Sequence, residues 1–63
     1  MREHVALLLE RLDEPIRTVV VMRTMQGMSG NEVKRALGCS AGLVSRRLHQ
    51  GLEQLRQWMA ESP

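Results

Sequence analysis

Tyrosine and phenylalanine are absent from the 63-residue chain, and Trp58 is its only aromatic residue. Modules that hold single-stranded nucleic acid stack bases on several aromatic rings. That class is therefore excluded, while duplex binding stays open. Cysteine is equally scarce. Cys39 stands alone, so no intramolecular disulfide can form, and the Cys/His spacings of a zinc site are missing. This usage points to cytoplasmic residence, and at its apolar position Cys39 reads as a structural thiol. Apolar runs such as Val19 to Met22 fall far short of the ~20 residues a membrane helix needs. Met1 is followed by Arg2, Glu3 and His4, which is not the start of an export signal. No membrane role is expected. Catalytic sets are lacking as well. His4 and His49 have no Ser, Cys or carboxylate arrangement around them, and Glu10, Asp13 and Glu14 sit at a helix junction where capping explains them. The expectation is a protein that is not an enzyme, with no catalytic residue, no cofactor and no metal.

What is present is compact. A chain of 63 residues forms one domain that buries about 60% of the surface its unfolded form exposes, and such a domain leans on close helix packing or on partners. The formal net charge is +2 and the sequence pI about 9.5. Both suit a polyanionic partner, but where the charges lie matters more.

The apolar spacing is helical throughout, and it predicts an all-α, four-helix domain. Val5, Leu8, Leu9 and Leu12 fall at i, i+3, i+4 and i+7, one face of a first helix over residues 2–12. Asp13 can cap a second helix, and Pro15 fits its first turn. This helix, 14–26, carries apolar residues around most of its circumference and should be the buried centre. The run Val19 to Val21 also admits a strand, but no second strand-like segment exists to pair with it. Gly27 stops the second helix, and Ser29 with Glu32 forms a capping-box pattern opening a third over 30–37. Gly38 stops that one in turn. Ser40 caps a fourth over 41–59, with Val44, Leu48, Leu55 and Met59 as its apolar stripe and Ala41, Gly51 and Leu52 on the same side. Leu7 falls off the first helix's apolar face, and Trp58 and Met59 close a helix end; exposed, these apolar groups would mark a protein interface. Met22, Met25 and Met28 read as core filling.

Two short helices joined by a glycine turn, with apolar residues on either side, make a helix-turn-helix. Here Val33, Leu37, Val44 and Leu48 should lock the pair while Gly38 turns the chain. The second helix then offers its N-terminal half to a DNA major groove, which admits one helix and displays a distinct pattern for each base pair. Arg46 and Gln50 lie one turn apart, with side chains matched to guanine and adenine, and Leu43 suits a thymine methyl. Ser40, the helix N-terminal amides, Arg47 and His49 are placed for phosphates.

From Val5 to about Met59 the chain resembles region 4 of bacterial RNA polymerase sigma factors, especially the extracytoplasmic-function group. The matching residues are Arg17, Val19 to Arg23, Gly27-Met28-Ser29, Glu32-Val33, Leu37-Gly38-Cys39-Ser40, Gly42, Val44 and Arg47-Leu48-His49. The resemblance implies recognition of the promoter minus-thirty-five element within transcription initiation, with Gly42, Leu43, Arg46, Arg47 and Gln50 facing the DNA. It implies that Arg17 and Arg23, in the preceding helix, lie near the DNA backbone. It also implies docking on the flap of the RNA polymerase β subunit and a possible anti-sigma factor over the same surfaces. Promoter melting belongs to another region of such factors, so the chain reads as an excised domain or a short stand-alone relative.

Several positions depart from the family pattern. Asp13 replaces a proline, and Lys34 stands where a small alanine packs beneath the recognition helix, so its stem should snorkel to solvent. Leu43, Ser45, Gln50 and Leu52 replace a threonine and three cations, although Arg46 is gained. Fewer cations mean weaker phosphate neutralisation and a shallower salt dependence. Two further readings stay open: a dimeric output domain of the LuxR type, whose last helix is short and separate, and a sigma-like module that binds polymerase or an anti-sigma factor without touching DNA.

Overall fold

The computed structural model describes residues 2–61, with side chains from His4 onward. Four helical segments follow one another: α1 Arg2–Glu10, α2 Glu14–Val20, α3 Gly30–Leu37 and α4 Ala41–Glu61. No strand occurs among the described residues, so Val19 to Val21 is helical. α2 continues without a break into a π-helical turn, Val21–Met25. The fold is the all-α, four-helix arrangement expected.

Local chemistry explains each boundary. α1 stops two residues short of Leu12, where the amides of Arg11 and Leu12 reach back three residues to the carbonyls of Leu8 and Leu9, tightening the last turn. Asp13 stands at the N-cap of α2, yet its side chain makes no capping bond. Its backbone carbonyl instead accepts the Arg17 amide at 2.8 Å. At the far end the Thr24 hydroxyl donates to the Val20 carbonyl at 2.6 Å, a back-bond that loosens a helix. The next closures span five and six residues, Gln26 amide to Val21 carbonyl and Met28 amide to Met22 carbonyl. Gly27, at φ 65°, supplies the left-handed step that the second needs.

Packing divides into two cores that share one residue. In the first, Leu9, Leu12 and Val20 are buried, with Val5, Ile16, Leu55 and Trp58 against them. The second holds Val19, Val33 and Val44, flanked by Met22, Met28 and Cys39. Val19 and Val20 are thus adjacent in sequence but serve different cores, and Leu48 touches both. α2 crosses α4 at Gly51, where an added Cβ would collide with the Val20 side chain and lie 3.0 Å from Ile16 Cγ2. The front half of α4 consequently packs with α3 and its back half with α1. At 1.5 Å per residue its 21 residues span about 31 Å, most of the molecule's 38 Å long axis.

Some expected core positions face solvent. Met59 and Leu52 are 52% and 41% exposed, because the stripe on α4 is covered only where α1, α2 and α3 cross it. Met25 is exposed on the π turn while Met22 and Met28 pack inward. Leu7 is exposed, off the packed face of α1.

Candidate nucleic-acid interface

The helix-turn-helix is assembled from backbone chemistry outward. The Ser29 hydroxyl accepts the Glu32 amide at 3.1 Å, and the Glu32 carboxylate accepts the Ser29 amide at 2.8 Å, a complete capping box. These bonds, that from the Ser29 backbone foremost, hold the Glu32 carboxyl below its ordinary value of 4.5. α3 ends at Gly38, φ 63° and ψ 37°, where the Gly38 and Cys39 amides both donate to the Lys34 carbonyl. The Ser40 hydroxyl then accepts the Leu43 amide at 3.1 Å and opens α4.

Val33 and Val44, closed over by Val19, fix the angle between α3 and α4. Leu37 is not part of this lock. It is 37% exposed and borders a recess with Glu14, Pro15, Thr18 and Arg47. Half-buried Cys39 packs against the second core instead. Ser40 caps α4, and beyond it Gly42, Arg46, His49 and Gln50 are exposed while Leu43 and Arg47 are half-buried. These seven residues therefore share the first three turns of one helix and its cap. Arg17 and Arg23 are placed differently. Arg17 donates to the Glu10 carbonyl at 3.3 Å, closing the end of α1. Arg23 donates to the Met28 carbonyl at 2.7 Å, bracing the turn into α3.

Other cations are similarly engaged. Arg56 pairs with Glu53 at 3.1 Å, and Arg11 lies 4.2 Å above the Trp58 ring, a cation-π distance. Among the described residues, no hydrogen bond or ion pair holds the side chains of Lys34, Arg35, Arg46 or Arg47. All four lie in the helix-turn-helix, and no acidic residue occurs from Val33 to Leu52. Lys34 is exposed, as its snorkelling stem requires, and so is Arg35. Neither stands out as a contact in the sequence, because charge on α3 reads as ordinary solvated surface. The legible signal is the acid-free stretch around them.

A second concavity of about 510 Å³ lies between the α1–α2 junction and α4, lined by Arg11, Leu12, Ile16, Gln50, Glu53 and Trp58 among others. Gln50 thus borders both surfaces. Among the described residues no helix is long and apolar enough to cross a membrane.

A capped, glycine-turned helix pair with an exposed second helix defines a helix-turn-helix protein. Comparison narrows the class: the model of the family described as "Sigma-70, region 4" matches residues 8–57, and the chain belongs to that family. It is 36% identical over 53 residues to the ECF RNA polymerase sigma factor SigE of Mycolicibacterium smegmatis, covering 84% of this chain and 21% of that protein. With the RNA polymerase sigma-E factors of Streptomyces coelicolor and Streptomyces avermitilis the identity is 49% over 41 residues, 65% of this chain and 23% of theirs. The chain spans about a fifth of the length of these curated relatives. No solved structure matches it. The unbroken α4, Ala41–Glu61, also differs from the short, separate last helix expected of a LuxR-type domain.

Proposed function

We propose that this chain is the promoter-recognition module of a sigma factor, working in the cytoplasm in bacterial transcription initiation and contributing no catalytic group of its own. It reads the minus-thirty-five element. The observation that carries this reading is the rigidly capped α4, whose exposed Arg46 and Gln50 project one turn apart from a helix held by buried Val44. A groove wide enough for one helix brings those side chains to base edges. Leu43 lies beside them for apolar contact with a thymine methyl. The Ser40 cap, Gly42, Arg47 and His49 flank the groove and approach phosphates. Arg17 and Arg23 add backbone contacts on release of the carbonyls they hold in the unbound domain.

The cleft beneath Arg11 and Trp58 suits the second task of such a module, docking on the β-subunit flap of RNA polymerase, and an anti-sigma factor would compete for it. Leu12, Ile16 and Trp58 give it apolar walls, and Arg11 and Glu53 a charged rim.

Selection of bound duplexes from a random library tests the DNA reading. The chain should enrich one short sequence, and Arg46→Ala and Gln50→Ala should each cost about 1–3 kcal/mol of discrimination at one base pair with helicity unchanged. An unenriched library, or two variants that select the same sequence as the parent, overturns it.

A further inference from the structure

We infer that Asp13 sets the specificity of the Trp58 cleft, which takes a protein segment presenting apolar side chains to its walls and a lysine or arginine to the Asp13 carboxylate. The inference rests on the docking reading above and deepens it by giving the chemistry of the partner. Its basis is how the charges around the cleft are spent. Arg11 lies against the Trp58 ring, and Glu53 is paired with Arg56. Asp13 borders the same concavity and is exposed. Its type and position suit a helix N-cap, yet its side chain makes no capping bond. Among the described residues no hydrogen bond or ion pair holds that carboxylate. An engaged charge gives up a partner to meet a new one, whereas Asp13 surrenders only its hydration.

The charge balance points the same way. With His49 neutral, the residues lining the cleft carry one cation, Arg11, against two carboxylates, Asp13 and Glu53, on a chain whose formal net charge is +2. The stretch Val33 to Leu52, which begins just after Glu32, holds Lys34, Arg35, Arg46 and Arg47 and no acid. The molecule is thus basic where it offers α4 to DNA and acidic at the cleft. Such a cleft repels a phosphate backbone and attracts a basic protein segment. Leu12, Ile16 and Trp58 supply the apolar contact. Asp13 supplies discrimination, because docking takes its carboxylate out of water, and a segment with no cation opposite it leaves that charge unpaired. Asp13 also stands where the family pattern has a proline, which carries no charge, so the preference is this chain's own.

Binding of the labelled chain to RNA polymerase core enzyme, titrated across a salt series, tests this. It is repeated for Asp13→Asn, which keeps an N-cap residue type, for Asp13→Lys, and for Glu10→Gln, the same loss of charge outside the cleft. At unchanged helicity, Asp13→Asn should weaken binding about tenfold at low salt and flatten its salt dependence. Asp13→Lys should weaken it further, and Glu10→Gln should match the parent. If both Asp13 variants bind as the parent does, the inference falls while the docking reading stands. Tighter binding by Asp13→Lys shows an acidic occupant and overturns the inference as well. Equal weakening by Glu10→Gln shows a diffuse charge effect and likewise removes it. A parent that does not bind the core enzyme sinks the docking reading and this inference together.

Discussion

At Gly51 an added methyl group has no room. It would run into the Val20 side chain, itself 2% exposed and hemmed in by the first core, with Ile16 close on the other side. Gly42, in the same helix, has nothing within 4 Å of the corresponding position. One substitution therefore has opposite signs at two sites. Gly42→Ala should stabilise by up to about 1 kcal/mol through helix propensity. Gly51→Ala should destabilise by about 1–2 kcal/mol, because overpacking a closed crossing outweighs that gain. Denaturant melts of both variants check the sign reversal. Glu32 gives a pH-dependent counterpart. Its carboxyl is held low in the folded state by the Ser29 amide, so its contribution is present above the ordinary value of 4.5 and is lost as pH falls through the lower folded value. Thermal midpoints should decline on acidification below that point. Glu32→Gln, which cannot titrate but can still accept the amide, should show a smaller decline.

Among the helices, the signals written in short range are the legible ones. Gly27, Ser29, Glu32, Gly38 and Ser40 act through bonds to residues within a few positions, and each does in the structure what its type and spacing predict. The π turn is different. It depends on where the Thr24 hydroxyl points and on how Gly27 closes the chain, and neither leaves a periodicity to read. Asp13 shows the converse: a residue of the right type at the right position, whose side chain makes no cap bond. Leu37, Leu52 and Met59 fall on apolar stripes but outside the area that other helices cover. A stripe records which side of a helix can be buried, while crossing positions decide how far along it burial extends. For the candidate interface, the face of α4 was legible because it is simply what the stripe leaves over. The carbonyl bonds of Arg17 and Arg23 were not, since each reaches a residue five or seven positions away across a turn.

For the molecule as a whole, the decisive feature is the division of the core. Leu48 is the one hydrophobic residue packed against both clusters, and α2 sends Val19 into one and Val20 into the other. Truncating Leu48 should therefore loosen both halves together. Leu48→Ala, at a half-buried position, should cost about 2 kcal/mol and speed hydrogen exchange in α1 and α3 alike. Val33→Ala should speed exchange in α3 more than in α1. Equal acceleration of both helices by Val33→Ala would show that the two cores open as a single unit.

A domain joined in this way can be revised one end at a time. The half that carries the proposed reading helix rests on Val19, Val33 and Val44; the half with the Trp58 cleft rests on Leu9, Leu12 and Val20. Changes at one end reach the other through α2, Leu48 and the Gly51 crossing, and at the surface through Gln50, which borders both. A grafted reading end, joined at Gly51 so that it keeps His49 and Gln50, would meet the rest of the cleft of its host.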